Sequence, residues 1–337
     1  MLTDRHRREL QDLRISVTDR CNLRCTYCMP LDQYDWLARE QILSFEEICR
    51  LVRIFAGLGS SKLRITGGEP LLRNGLPELV GMLARIDGIE DICLTTNGLL
   101  LSDSAVDLRR AGLHRVTISL DSLNPDTFLR MAQRGRLDSV LAGVVAAKAA
   151  GLGPIKINTV VERGVNDREI PQLLDYSRKE GFEIRFIEYM DVGNVNDWTA
   201  RKLVTKTEIL SRISEGHPFE PVTSERGSAP AVRYRFKDGS GGFGVIASVS
   251  EPFCGDCTRA RLTADGRMVT CLFSPRGHDL KAMLRTSATD RELSDAIASV
   301  WVGRSDRYSE ERLVAISSKE GYRPEAVRKL EMISLGG

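Results

Sequence analysis

Residues 13–28 read Leu13-Arg-Ile-Ser-Val-Thr-Asp-Arg-Cys21-Asn-Leu-Arg-Cys25-Thr-Tyr-Cys28. The β-branched run Leu13–Val17 reads as a strand. Three cysteines in C-x₃-C-x₂-C spacing follow it directly. A cubane iron–sulfur cluster takes four ligands, so three thiolates leave one iron open to a small molecule. An open iron signals chemistry, whereas a closed four-cysteine cage signals structure or electron storage.

Outward from this stretch, apolar runs alternate with helical patterns, which argues for βα units and a parallel sheet. Strands are expected at Leu13–Val17, Leu63–Thr66, Ile92–Thr95, Arg115–Leu120, Ile155–Val161 and Glu183–Glu188. Helical patterns lie near 44–58, 76–86, 103–111, 137–150 and 168–180. Ser44-Phe-Glu-Glu47 forms a capping box, and Asn166-Asp-Arg-Glu169 suggests another. Six such units over about 190 residues fall short of a closed eightfold barrel of about 250. The expected class is therefore α/β, a partial (β/α)6 TIM-like barrel spanning 1–215. The pattern breaks at a Pro/Gly/Ser-rich stretch near 215–230, read as linker. Short antiparallel strands are expected at Tyr234–Phe236, Val245–Val249, Arg259–Thr263 and Met268–Cys271, with charged helices from about 278. This C-terminal region, 216–337, is expected to close the open side.

Polar motifs recur after the strands: Thr66-Gly-Gly-Glu69, Thr95-Thr-Asn97, Ser119-Leu-Asp121 and Glu188-Tyr-Met190-Asp. Active sites of βα barrels gather at these strand ends. Gly67 and Gly68 leave backbone open to a ligand. Arg14, Arg64, Lys156 and Arg185 fall inside strands, where a cation needs a partner: an anionic substrate or an internal carboxylate.

The chain has 337 residues, 48 Lys+Arg against 46 Asp+Glu, and a net charge of +2. No overall field favours nucleic acid. No apolar run is long enough to span a membrane. The charged start, Met1 to Arg8, lacks a signal peptide's apolar segment, so the eight cysteines are expected to be reduced, in the cytoplasm. Cys49 and Cys93 sit among apolar neighbours and read as small buried hydrophobes.

A second group, Cys254-Gly-Asp-Cys257 with Cys271 downstream, has C-x₂-C-x₁₃-C spacing. By spacing it fits zinc, with His278 as a fourth ligand. Yet Arg259 and Arg261 follow on one face of a strand, which suits an anionic substrate better than a structural zinc. Gly239-Ser-Gly-Gly-Phe-Gly244 matches a dinucleotide fingerprint but lies between two strands and opens no helix, so it reads as a hairpin loop.

The Cys21–Cys28 motif resembles that of radical S-adenosylmethionine enzymes. The run Glu251-Pro-Phe-Cys-Gly-Asp-Cys-Thr-Arg-Ala-Arg-Leu-Thr-Ala-Asp-Gly266, with Cys271-Leu-Phe-Ser274 and the terminal Gly336-Gly337, narrows the resemblance to the GTP 3′,8-cyclase family. The match extends through Ile65-Thr-Gly-Gly-Glu-Pro70, Leu94-Thr-Thr-Asn-Gly98 and Glu183–Gly193. That resemblance implies a radical-S-adenosylmethionine barrel with two [4Fe-4S] clusters, on Cys21, Cys25 and Cys28 and on Cys254, Cys257 and Cys271. It implies S-adenosylmethionine contacts at Tyr27, Gly68, Ser119 and Met190, and GTP contacts at Arg14, Arg64, Thr95, Lys156, Arg185, Arg259, Ala260 and Arg261. Catalytic roles fall to Arg259, Arg261, Gly336 and Gly337. The implied partners are a flavodoxin-like electron donor and a downstream cyclic pyranopterin monophosphate synthase, and a homodimer is compatible. The alternatives are another radical enzyme with an auxiliary cluster, such as a peptide-modifying maturase, or a non-catalytic iron–sulfur or zinc protein.

Overall fold

The computed structural model describes residues 2–29, 33–222, 228–317 and 329–336. Six parallel strands form its centre: β1 (Asp12–Ser16), β2 (Lys62–Thr66), β3 (Asp91–Thr96), β4 (Arg115–Ser119), β5 (Lys156–Val161) and β6 (Glu183–Glu188). Helices α1 (Phe45–Gly57), α2 (Leu76–Leu83), α3 (Leu101–Arg110), α4 (Pro125–Ala132), α5 (Leu137–Ala149) and α6 (Ile170–Glu180) connect them. Next come α7 (Lys206–Ser214), then β7 (Phe219–Pro221), β8 (Val232–Phe236), β9 (Gly242–Ile246), β10 (Arg259–Leu262), β11 (Arg267–Val269) and β12 (His278–Asp279). The chain ends in α8 (Leu280–Arg285), α9 (Asp290–Val302), α10 (Tyr308–Ser317) and α11 (Met332–Leu335).

Period-2 alternation makes the barrel. Leu13 and Ile15 of β1, Leu63 and Ile65 of β2, and Ala260 and Leu262 of β10 are at most 1 % exposed and belong to the main apolar core. The residues that alternate with them, Arg14, Arg64 and Arg261, line an interior cavity. Burying each large apolar side chain contributes on the order of 1.5–3 kcal/mol, and the strand cannot rotate to release the polar face without losing it. Ser44 caps α1 as expected: its hydroxyl accepts from Glu47 N at 3.2 Å, and the Glu47 carboxylate accepts from Ser44 N at 2.8 Å.

The sheet order is β12-β11-β10-β1-β2-β3-β4-β5-β6-β9-β8-β7. The fold class is the expected one, but two late strands depart from the antiparallel reading. β9 pairs in parallel with β6, and β10 in parallel with β1. The C-terminal strands thus continue both edges of the barrel sheet, and only their outer neighbours β8 and β11 are antiparallel to them. An edge strand offers a full row of unpaired backbone groups, so extension is the natural way to satisfy it. Arg50–Asp290 (2.7 Å) and Arg285–Glu47 (2.7 Å) fasten α9 and α8 to α1.

Besides the short strand β12 at His278–Asp279, three elements were not anticipated. α4 opens on Asn124-Pro125, with the Asn124 side chain accepting from Asp126 N and Thr127 N; α7 opens on a Thr205–Glu208 capping box; and β7 crosses the presumed linker. Conversely, Asn166 caps nothing. Its side chain donates to Asp121 O and Val160 O, both at 2.8 Å, and so ties loops together. Gly239–Gly244 does lie in the β8–β9 hairpin.

Candidate active site

Cys21, Cys25 and Cys28 lie on the loop after β1, half-buried and unpaired with one another. Two features hold the loop. The Gly68 amide donates to Thr18 O and the Glu69 amide to Arg20 O, each at 2.7 Å. A Cβ on Gly68 would stand 2.3 Å from Arg20 O, and one on Gly67 2.8 Å from Thr18 O. These glycines are therefore required by the close approach of two loops of the chain itself, and the Gly68 amide is already committed. Glu69, 1 % exposed, spans β2 and β3 by accepting from the Thr96 hydroxyl (2.7 Å) and Asn97 N (2.8 Å). Burial pushes its carboxyl up to about 7 against those donors. Asn97 in turn donates to Asn22 (2.8 Å) and toward Cys21 Sγ (3.9 Å).

Tyr27 donates to the buried Asp121 carboxylate at 2.7 Å. Burial pushes the Asp121 carboxyl up to about 6, partly offset by Tyr27 and Val160 N. Asn196 reaches the carbonyls of Met190 (3.0 Å) and Tyr27 (3.4 Å). Tyr27 and Met190 share the wall of a small secondary pocket. Ser119 is half-buried at the end of β4, in register with Asn158. Gly68, Ser119 and Tyr27 do not line the main cavity; Met190 lines both spaces.

That main cavity has a volume of about 380 Å³. Its wall carries ten Arg and Lys side chains against three Asp, although the whole chain is nearly neutral. The concentration has a simple origin in register. Arg261 of β10 pairs with Arg14 of β1, and Arg14 with Arg64 of β2, so three guanidiniums stand in one row across three adjacent strands. Burial and the neighbouring Arg261 and Arg64 push Arg14 well below its usual range. Arg261 is lowered to about 10 by burial and by Arg259. Such a row is costly unless an anion meets it.

Around the wall, Arg64 donates to Cys93 Sγ (3.1 Å), Thr117 Oγ1 (3.2 Å) and Thr95 Oγ1 (3.3 Å). Arg185 donates to the same Thr117 oxygen at 3.3 Å, while its buried Nε has no partner. Lys156 does have the internal carboxylate weighed for it, Glu183 at 3.2 Å. Ala260 is not brought to the site: alternation turns its side chain into the core. Cys93, read as a plain hydrophobe, is buried but accepts from Arg64.

Cys254, Cys257 and Cys271 line this cavity beside the arginines. Arg259 donates to Cys257 Sγ at 3.5 Å, and Arg304 to Cys257 O at 2.7 Å. Burial opposes ionisation of Cys257, but Arg259 and Arg304 outweigh it and bring the thiol down to about 6. Arg8 donates to Cys254 O at 2.8 Å and is paired with Asp4 at 2.6 Å. Arg8 and Arg304 escaped the sequence reading because they lie far from every motif; Thr117 escaped it because it is one more β-branched strand residue. His278 is exposed on β12.

The tail enters the same cavity. Met332 lines it. Arg261 donates to Leu335 O (3.1 Å) and Gly336 O (2.5 Å). Gly336 has φ +69°, and a Cβ there would stand 2.2 Å from Thr66 Cγ2, so only glycine fits against the end of β2. Gly337 lies outside the described residues.

Both cysteine groups fit iron–sulfur ligation. Their donors are thiols, with N–H groups aimed at Cys21 Sγ from Leu23 (3.5 Å) and Asn97. Among the described residues, no three His, Cys, Asp or Glu side chains converge on one metal ion. Zinc needs such convergence; a cubane does not, because each thiolate binds a different iron.

The family model described as Radical SAM superfamily matches residues 15–177, and Molybdenum Cofactor Synthesis C matches 182–310. The fold agrees: Streptococcus suis SuiB bound to S-adenosylmethionine superposes with TM-score 0.61 at 16 % identity, covering 91 % of this chain and 68 % of that one. The class is thus a radical S-adenosylmethionine protein with a molybdenum-cofactor-synthesis C-terminal region. A GTP 3′,8-cyclase of Acidothermus cellulolyticus is 49 % identical, covering 98 % of this chain and 97 % of its own. One from Xanthomonas campestris pv. campestris is 46 % identical over 100 % and 97 %, and GTP 3′,8-cyclase 1 of Mycobacterium tuberculosis 45 % over 92 % and 87 %. The chain belongs to the GTP 3′,8-cyclase family.

Proposed function

We propose that the protein converts GTP to (8S)-3′,8-cyclo-7,8-dihydro-GTP, the first step of molybdenum cofactor biosynthesis: the ribose 3′ hydrogen is removed and C3′ bonds to C8 of the same guanine. One observation carries the reading. A single cavity holds three cysteines, a row of arginines and the C-terminal tail. Its volume falls in the range of small-molecule sites, roughly 300–1,000 Å³.

Cys21, Cys25 and Cys28 would hold one [4Fe-4S] cluster and Cys254, Cys257 and Cys271 a second. With S-adenosylmethionine bound, the cluster held by Cys21, Cys25 and Cys28 would supply one-electron reductive cleavage chemistry at the sulfonium. The chain's own work is binding, orientation and exclusion of water. Arg14, Arg64, Arg259 and Arg261 meet the triphosphate with charge-assisted hydrogen bonds. Thr95, Lys156 and Arg185 complete the wall around the nucleotide. Tyr27, Ser119 and Met190 flank S-adenosylmethionine, with Asp121 and Asn196 fixing the Tyr27 and Met190 loops. Gly68 supports that side by locking the cysteine loop. Catalytic roles are assigned to Arg259, Arg261, Gly336 and Gly337, the last of which lies outside the described residues. A flavodoxin-like protein delivers the electron, and cyclic pyranopterin monophosphate synthase takes the product, both in the cytoplasm. Among the described residues, no helix is long and apolar enough to cross a membrane.

The test is anaerobic iron and sulfide counting joined to a product assay on GTP. Two clusters per chain and GTP-dependent cyclised product are expected. 5′-Deoxyadenosine formed with GTP untouched points to a different radical enzyme; zinc alone, or no deoxyadenosine under dithionite, removes the enzymatic reading.

A further inference from the structure

A second charged cluster lies outside the cavity's arginine row and is assigned no part in the reaction. Asp191 follows Met190 on the loop after β6. Its carboxylate is paired with Arg312 of α10 and, at 2.5 Å, with Lys329 at the start of the tail. All three side chains are fully buried. Lys329 also donates to Asp191 O at 2.8 Å, and Arg312 to Ser248 O. Two aromatic rings roof the cluster: Phe273 and Tyr308 stack at 4.4 Å. Arg312 lies 4.8 Å and Lys329 5.5 Å from the Phe273 centroid.

Its members come from the loop beside Met190, from the segment after Cys271, from α10 and from the tail. Among the described residues two cations share one carboxylate in a dry interior, an arrangement expensive to assemble, and aromatic faces offset part of that cost. For core stability alone, apolar residues of similar volume would serve as well. What an ion junction adds is a fixed register between segments. Beyond Lys329 the tail is guided further: Leu330 N donates to Ser274 O at 3.1 Å, and Asn194 holds Lys329 O and Glu331, each at 2.7 Å. Six and seven residues past the junction, the Leu335 and Gly336 carbonyls meet Arg261.

We infer that Asp191, Arg312 and Lys329 form a positioning junction that sets the depth of the C-terminal tail in the cavity and registers it against the Met190 loop. The inference rests on the cyclase reading. The junction touches neither nucleotide nor cofactor; it acts through where it places residues 330–336. Loss of Lys329 leaves Asp191 still paired with Arg312, so the core survives while the tail loses its anchor.

The experiment uses the reconstituted holoenzyme carrying Lys329→Met. Iron content and 5′-deoxyadenosine formation should stay near wild type, while amide exchange in residues 329–336 rises and cyclised product per deoxyadenosine falls by on the order of 10²-fold, the scale of a misplaced reacting group. Asn194→Ala, an exposed change that spares the core, should move exchange and product yield the same way by less. Removing residues 330–337 should make Lys329→Met silent, since nothing is left to position. Unchanged tail exchange in both variants overturns the inference, as does a Lys329→Met effect that persists without the tail. Wild-type enzyme that forms deoxyadenosine but no product from GTP would instead overturn the cyclase reading.

Discussion

Cys21, Cys25 and Cys28 lie among carboxylates and backbone amides, whereas Cys254, Cys257 and Cys271 lie among guanidiniums. Glu69 and Asp121 stand behind the first group, and burial pushes Cys21 up to about 11 and Cys25 well above its usual range. In the second group the effect is confined to Cys257, which Arg259 and Arg304 bring down to about 6 despite its burial, while burial pushes Cys271 up. The contrast supports the proposed placing of the ligands. Besides its carboxylate, S-adenosylmethionine carries a sulfonium and an ammonium, which an acid-backed wall suits. A triphosphate carries only negative charge, so in the proposed assignment it meets the arginine wall. The two fields sit at opposite ends of the barrel strands: the first group follows the C-terminal end of β1, and the second lies beside its N-terminal end, where Asp12 pairs with Arg259.

The largest break in this comparison comes from single cysteines. Cys25→Ala should abolish 5′-deoxyadenosine formation, while Cys271→Ala should retain part of it and lose the cyclised product, read by chromatography of quenched reactions. Equal loss of both products in both variants would erase the division of labour.

Gly68→Ala should act next most strongly. Its new Cβ meets the Arg20 carbonyl, and overpacking of about 1–3 kcal/mol corresponds to roughly tenfold or more in a site's population. Iron bound at Cys21–Cys28 and deoxyadenosine yield should fall together, with the second group still loaded; Mössbauer integration distinguishes this from general unfolding.

Thr117→Val should have the smallest effect. It removes the acceptor shared by Arg64 and Arg185, about 1 kcal/mol and hence about fivefold in KM for GTP. KM for S-adenosylmethionine should not move. A rise in the latter would show that the two walls are not independent.

Much of this was legible in the chain. The strand positions and the Ser44 cap follow from local patterns, which depend on neighbours a few residues away. Placing Arg14, Arg64 and Arg261 on interior faces also follows, because alternation is a property of the strand. By the same rule Ala260, flanked by two arginines of the motif, turns its side chain into the core. The role of Gly67 and Gly68 was half legible. Glycine there does signal close approach, but the approaching group is the Thr18–Arg20 backbone.

Other features had no local signal. Glu188 ends β6 like a site residue, yet it is fully buried and accepts from Lys206 N, Val249 N and Ser250 N, each at 2.8 Å. It anchors the loop leading to Cys254. Arg8 and Arg304 reach the second cysteine group from opposite ends of the chain, and no spacing rule connects them.

The sequence by itself determined the chemistry available: two sets of three thiols, inward cations on alternating strand positions, and a glycine at the tail. These depend on residue type and short-range periodicity. Only the tertiary structure decided that β10 pairs beside β1, which puts Arg261, Arg14 and Arg64 in one row, and that the tail returns to meet them. Register between distant strands is set by which buried faces and edge hydrogen bonds can be satisfied together, and a chain reveals that only once it has closed on itself.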